Sequence, residues 1–273
     1  MRPSNVVVYC AIDSLMAKDL AGFPTFLESL VEAGIPCVWS SSRTRIQLDA
    51  AIRKFGHGHP FLAEGGCGVY MPEDYFHLKP KSQTMRLGRF TCIPVATLLP
   101  AASEALEDVA EETGIEVVPL SALSPRELSQ NAGLPQKEAE LLRQRDFDEL
   151  FFFAGASDAD AQIFVEAATK KKAAVRRGEI FWSLSIGADL RRCVGELSAL
   201  FERSMRIRPF NVAIGTTENA RELFAACNRS ILLKDCPEIE QEKSGPERRQ
   251  TLELELFSPD VWERALEAIQ TRN

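Results

Sequence analysis

Residues 5–12, Asn5-Val6-Val7-Val8-Tyr9-Cys10-Ala11-Ile12, form a β-branched apolar run that reads as a strand. Downstream, Phe26–Ala33 places Leu27, Leu30 and Val31 at helical spacing, and Gly34 closes that helix. Ile35-Pro36-Cys37-Val38-Trp39 reads as a second strand and Ser40-Ser41-Ser42-Arg43-Thr44 as a loop. Ile46–Phe55 resumes a helical pattern, and Pro60-Phe61-Leu62-Ala63 and Val69-Tyr70-Met71 are two further short strands. Strand, helix, strand, helix, strand in this order predicts parallel strands with helices on the sheet faces. Ligands then sit beyond the carboxyl ends of the strands, which points to the loops at 11–15 and 40–44.

Residues 84–178 break that rhythm. A strand-like Phe90-Thr91-Cys92-Ile93 precedes a helix at Ala101–Thr113, Ile115-Glu116-Val117-Val118, two more helices, the run Leu150-Phe151-Phe152-Phe153, and a helix at Ala159–Thr169. The run reads as a buried strand of this unit. Beyond it, Glu179–Leu184 reads as a strand, Leu190–Arg203 as a helix, Phe210–Ile214 as an apolar strand, Ala220–Ala226 as a helix and Ile231-Leu232-Leu233 as the last core strand. Lys234–Arg249 reads as a solvated loop and Pro259–Gln270 as a closing helix. The expected class is therefore α/β: a Rossmann-like core with a parallel sheet over 1–83 and 179–273, carrying an inserted α+β unit at 84–178.

Composition bounds the function. The chain has 273 residues, 45% hydrophobic and 26% charged, the balance of an ordinary folded protein. Its net charge of −7 opposes non-specific attraction to nucleic acid or anionic membranes. Apolar runs fall far short of the roughly 20 residues that span a bilayer, and the N-terminus lacks the apolar core of a signal peptide, so the expectation is a soluble, cytoplasmic protein. Seven cysteines (10, 37, 67, 92, 193, 227 and 236) are scattered through mostly apolar stretches and read as buried thiols. His57, His59 and His77 have no ligand partners at metal-site spacing and read as loop residues.

The order of elements resembles the haloacid dehalogenase superfamily, whose Rossmann-like core carries an α+β cap domain of the larger, second type. The loop Ser40-Ser41-Ser42-Arg43-Thr44-Arg45 and the segment Pro60-Phe61-Leu62-Ala63-Glu64-Gly65-Gly66 are similar to the second motif and the Glu-Asn-Gly segment of the mannosyl-3-phosphoglycerate phosphatase family. Gly133-Leu134-Pro135, Glu138-Ala139-Glu140-Leu141 and Gln144-Arg145-Asp146-Phe147-Asp148-Glu149 resemble that family's cap stretch. Arg177-Gly178-Glu179-Ile180-Phe181-Trp182 resembles its Arg-Gly-Gly-Arg-Phe segment, and Ser258-Pro259-Asp260-Val261-Trp262-Glu263 its ending.

The resemblance implies an Asp nucleophile at the end of the first strand and a second Asp two residues on as general acid and base. Alternate residues of an extended segment share a face, so both carboxylates reach one phosphate. Here Ala11 stands at the nucleophile position, Asp13 at the acid/base position and Leu15 where Thr or Ser is usual. The third motif, Asp-Lys-Gly in the family, matches Asp189-Leu190-Arg191, with Arg191 or Arg192 as substitute cations. The fourth, Gly-Asp-Ser-x-Asn-Asp, whose carboxylates hold Mg²⁺, matches Gly215-Thr216-Thr217-Glu218-Asn219-Ala220, with Glu218 at the variable position. Cys10 as a replacement nucleophile should face away from Ala11, toward the core.

Binding equipment remains. Ser41, Ser42 and Arg43 are candidate phosphate ligands by the resemblance, and a helix start favours anions; the competing reading makes Ser41 or Ser42 a helix cap. Arg145, Glu149 and Arg177 resemble cap positions that face substrate, against a surface ion-pair reading. Asp13 is the candidate catalytic side chain or a loop-ordering carboxylate, and Glu64 and Gly66 shape a turn. The expected function is that of a phosphatase-like protein which binds a phosphorylated sugar acid, or regulates a partner protein, without hydrolysis. On this reading no cofactor is expected. The alternative is an active phosphatase on mannosyl-3-phosphoglycerate or a related ester, with Mg²⁺ as its cofactor.

Overall fold

The computed structural model describes residues 5–17, 20, 22–178, 180–235 and 251–271, and the side chains of these except 17 and 217–219. The chain begins with β1 (Val6–Ala11), a short α1 (Asp13–Ala17), α2 (Phe23–Glu32), β2 (Cys37–Ser40), α3 (Arg45–Phe55) and β3 (Phe61–Ala63). β1 pairs in parallel with β2, and β2 with β3. β4 (Gly68–Pro72), β5 (Met85–Leu87) and β6 (Phe90–Pro94) then extend the sheet antiparallel.

The chain leaves this sheet through α4 (Leu99–Thr113) and builds a second one from β7 (Val117–Pro119), β8 (Glu149–Phe153), β9 (Ala173–Arg177) and β10 (Trp182–Ile186). Between them lie α5 (Pro125–Ala132), α6 (Gln136–Leu142) and α7 (Asp158–Lys170). It returns through α8 (Leu190–Met205), β11 (Phe210–Thr216), α9 (Thr217–Ala226), β12 (Arg229–Lys234), β13 (Thr251–Glu255) and α10 (Val261–Gln270). The large sheet runs β13-β12-β11-β1-β2-β3-β4-β6-β5 and the small one β7-β8-β10-β9.

The fold class is as expected, a mixed α/β chain on a large parallel sheet, but sheet membership moves the boundaries. The hairpin β5–β6 belongs to the large sheet, so the chain crosses over after Pro94 rather than at 84. β10 pairs antiparallel with β8 and β9, so the return follows Ile186 rather than preceding 179. Leu87-Gly88-Arg89 turns the hairpin, with Gly88 at φ 60° where a side chain would be strained. The sequence reading also stopped at Ile231–Leu233; β13 adds a parallel edge strand beyond it, with Leu254 buried and its flanking residues exposed. Most of the predicted loop 234–249 lies outside the described residues.

β1 is central and buried on both faces, which is why its sequence is apolar throughout rather than alternating. Val6, Val8, Cys10 and Ile12 join a core with α2, α3 and α10. Val7, Tyr9 and Ala11 pack on the opposite face with Leu190, Cys193, Leu197 and Phe201 of α8 and Ala220 and Leu223 of α9. The inserted unit has a core of its own, where Phe151, Phe164, Leu106 and Leu184 join α4 and α7 to the small sheet. Among the described residues no helix is long and apolar enough to cross a membrane.

Candidate functional site

Three parallel strands, β2, β1 and β11, end side by side: Ala11 is level with Ser40, and Cys10 with Ile214. The loops that follow them meet above. Asp13 opens α1, and its carboxylate orders the loop after β2. It accepts from Ser41 Oγ, from Ser42 N at 2.7 Å and from Ser42 Oγ at 2.8 Å, with Arg43 Nε 3.8 Å away. Thr44, not Ser41 or Ser42, caps α3: it exchanges hydrogen bonds with Gln47 in a capping box. The serines are therefore free of the capping duty and point at Asp13.

Ala11, Leu190 and Ala220 fall at the positions that the resemblance gives to the nucleophile, the Lys and a metal-binding Asp. All three lie in one apolar cluster, 4%, 7% and 0% exposed. Gly215 lies between two of them: a β-carbon there would come within 2.8 Å of the Ala11 methyl and 2.9 Å of the Ala220 methyl. Leu15 is buried on the other face of the sheet, 1% exposed. Cys10 packs with Cys37, a contact that together with burial pushes its thiol well above the ordinary thiol range. It faces away from Ala11, as its place in the strand requires.

Asp189 caps α8 by accepting from Arg192 N at 3.0 Å, Leu190 turns inward, and Arg191 and Arg192 are exposed. Gly66 lets this helix approach: at φ 94°, a β-carbon would lie 2.9 Å from Leu190 Cγ. The side chain of Glu218 lies outside the described residues.

The inserted unit is bolted to the loops after β2 and β3. Glu64, 1% exposed and at φ 51°, accepts from the backbone N–H groups of Asp146 and Phe147, both at 2.9 Å, and of Asp148 at 3.2 Å. Burial pushes its carboxyl up to about 8, opposed by the Arg145 guanidinium. Arg145 is buried, forks onto Asp148, and donates to Ser42 O at 2.9 Å. Asp146 accepts from Arg45 and from the Tyr70 hydroxyl, each at 2.9 Å, and Thr44 Oγ1 donates to Leu141 O at 3.2 Å.

Of the three residues matched to substrate-facing cap positions, Arg145 thus lies at the junction but spends its donors on Asp148 and Ser42. Glu149, 2% exposed, accepts from Ser103 Oγ at 2.7 Å and Ser121 N at 3.2 Å, so it ties α4 to β8 inside the unit rather than facing the cleft. Arg177 is 71% exposed, 3.9 Å from Asp158, with its guanidinium over the Trp182 ring. Its neighbour Arg176 is the one that reaches the strand ends: it donates to Gly65 O at 3.2 Å and meets Glu222 of α9 at 3.1 Å. Adjacent strand residues face opposite ways, so the Arg-Arg pair hid which of the two would point inward.

The chain lies in the company of known proteins at this point. No protein-family model matches it. A glucosyl-3-phosphoglycerate/mannosyl-3-phosphoglycerate phosphatase of Methanococcoides burtonii is 24% identical over 208 residues, 76% of this chain and 75% of the relative. A mannosyl-3-phosphoglycerate phosphatase of Pyrococcus furiosus is 21% identical over 231 residues, 84% and 91%. A haloacid dehalogenase-like hydrolase of Bacteroides thetaiotaomicron superposes with a TM-score of 0.60, 14% identity and coverage of 97% and 98% of the two chains. The fold is that of the haloacid dehalogenase-like hydrolases. A Thermotoga maritima structure agrees, with a TM-score of 0.61 at 13% identity over 98% of both chains.

Phosphatases with the haloacid dehalogenase-type fold generally use Mg²⁺, a hard cation that takes oxygen ligands. Among the described residues, the donor set at these strand ends does not fit it. Positions 11 and 220 offer methyl groups, and Asp13 is engaged by two serines. Among the described residues no group of three or more His, Cys, Asp or Glu is placed to hold a metal ion.

Proposed function

We propose that this protein is a catalytically degenerate relative of the mannosyl-3-phosphoglycerate phosphatases, one that binds a phosphorylated sugar acid between its core and its cap without hydrolysing it. The observation that carries the proposal is the burial of Ala11, Leu190 and Ala220 in one apolar cluster, with Ala11 and Ala220 closing on Gly215. A methyl group neither attacks phosphorus nor ligates a cation, and a leucine supplies no counter-charge, so covalent phosphoryl transfer through these positions has no chemistry to run on. Relatives spanning three quarters of the chain are named for phosphoglycerate glycosides, which makes those esters the first ligands to try.

The rival is an active Mg²⁺-dependent phosphatase. It rests on the same relatives and on the retention of Asp13, and it needs a carboxylate from elsewhere. Calorimetric titration of the purified chain with glucosyl-3-phosphoglycerate and mannosyl-3-phosphoglycerate, followed by ³¹P NMR of the mixture, separates the two. Saturable heat with the ester signal unchanged is expected. Absence of binding, or conversion to free phosphate, refutes the proposal. Either role is compatible with the cytoplasm, the compartment proposed for this chain. A scaffold for a partner protein would show itself instead by stable co-purification with no ligand heat.

A further inference from the structure

A groove of about 900 Å³ runs along α8, on a flank of the helix that the sheet does not use. Cys193, Leu197 and Phe201 pack inward against β1, while Gly195 and Ala199 stay exposed on the groove side. Lys81 and Ser82 line the facing wall. Two hydrogen bonds hold the walls together: Ser82 Oγ donates to Glu196 at 2.7 Å, and Arg203 donates to Lys79 O at 3.0 Å.

Two residues lining it run against what the helix alone prefers. Gly195 is interior to α8, where glycine is less favourable than alanine. Among the described residues nothing lies within 4 Å of the place its β-carbon would occupy, so no neighbour calls for glycine there. Arg206 closes the helix at φ 56°, the left-handed conformation that glycine adopts without strain. Residues that break a local preference with no compensation inside the fold point to a role outside it.

The charges indicate the occupant. Lys81, Arg192, Arg203 and Arg206 line the groove with Glu196 and Glu202, an excess of positive charge on a chain whose net charge is −7. Glu196 is engaged by Ser82, whereas among the described residues the side chains of Lys81, Arg192 and Arg206 form no hydrogen bond or ion pair. Arg192 and Arg206 stand about 20 Å apart along the helix axis at about 1.5 Å per residue, too far for one small anion to bridge. Nucleic acid is disfavoured, because Glu202 would face its continuous phosphates and no aromatic side chain among the described lining residues offers a base a stacking surface. We infer that this groove docks an acidic, partly apolar segment of a partner protein, laid along α8 with its carboxylates toward Arg192, Lys81 and Arg206 and small apolar side chains on Gly195, Ala199 and Leu200. The groove shares no lining residue with the strand-end loops, so the inference does not depend on what the crevice binds.

The test is fluorescence anisotropy on the full chain with a labelled helical peptide of Glu, Ala and Leu, about 16 residues long to span the helix. The same peptide with Lys in place of Glu, and an oligothymidylate of similar length, serve as controls. The expected result is binding of the acidic peptide that weakens as salt rises, and none of either control. Arg192→Glu and Arg206→Glu should each weaken it about tenfold. Gly195→Leu and Arg206→Gly should raise the thermal midpoint, since each suits the helix better, and yet weaken binding about fivefold; a purely structural role would not produce that split. Absence of binding, equal binding of the acidic and basic peptides, tighter binding of the oligothymidylate, or indifference to Gly195→Leu would overturn the inference. A reversible dimer in sedimentation velocity that Arg192→Glu dissolves would also overturn it, making the occupant a second copy of this chain.

Discussion

Replacing Ala220 with Asp returns a carboxylate to a position that this chain keeps apolar, and the cost follows from the packing. Ala220 is 0% exposed among Ala11, Leu223 and Leu190, and the space beside its methyl lacks room even for a β-carbon on Gly215. The added carboxyl atoms must push neighbours aside, for about 1–3 kcal/mol. A buried carboxyl without partners adds about 1–3 kcal/mol when neutral and more when ionised. Together these give about 2–6 kcal/mol, a large part of a typical domain's stability. Urea unfolding, followed by the fluorescence of Trp39, Trp182 and Trp262, should show the midpoint fall by about 1–2 M with the slope unchanged. Ala220→Asn, similar in shape but uncharged, separates crowding from charge: it should lose less than the Asp variant above the carboxyl's pKa. An Asp variant as stable as wild type, or one raised above wild type by Mg²⁺, would show that these strand ends remain a polar metal site and would refute the reasoning.

Three other substitutions test separate parts of the account. His57 stacks on Trp39 with centroids 4.0 Å apart, and burial pushes its imidazole down to about 3. Its unfolded form takes up a proton below about pH 6.5 while the folded form stays neutral, so stability falls with pH between 6.5 and 3, by up to about 2 kcal/mol at pH 5. His57→Phe should flatten that slope in chemical melts at pH 5 and 7; an unchanged slope would mean that another group is responsible. Arg145→Ala leaves the Asp148 carboxylate buried beside Glu64 and should cost about 3–5 kcal/mol, with the double variant Arg145→Met/Asp148→Leu losing much less. Equal losses in single and double variants would contradict this. Gly66→Ala places a β-carbon against Leu190 at a positive φ and should cost about 2–4 kcal/mol in a thermal melt; a melt within a degree of wild type would count against close α8 packing.

The central β-α-β-α-β layer was legible because its strands are buried on both faces and carry continuous β-branched runs, while α2 and α3 keep a helical period. What pairs with what was less so. Phe90–Pro94 and Trp182–Ile186 are short strands whose local sequence suits either sheet, and only long-range pairing decides that the first belongs with β4 and the second with β8 and β9. Asp13, Ser41, Ser42 and Arg43 lie on the two loops that the strand order singles out, and their meeting follows from the side-by-side ends of β1 and β2. Glu149 and Arg177 were misdirected by matching positions without the strand's face, and Arg176 was passed over beside an identical residue. The signal available for it was the two-residue alternation of β9: Ala174 and Arg176 share one face, Val175 and Arg177 the other. Leu190 was visible as a departure from the family pattern, but its membership of the same cluster as Ala11 and Ala220 is a property of the fold.

The most direct measurement is phosphate release by the purified chain incubated with Mg²⁺ and mannosyl-3-phosphoglycerate, glucosyl-3-phosphoglycerate or an aryl phosphate. The account predicts no release above that of the heat-denatured protein. Turnover that co-purifies with the chain and is lost in Asp13→Ala would contradict it.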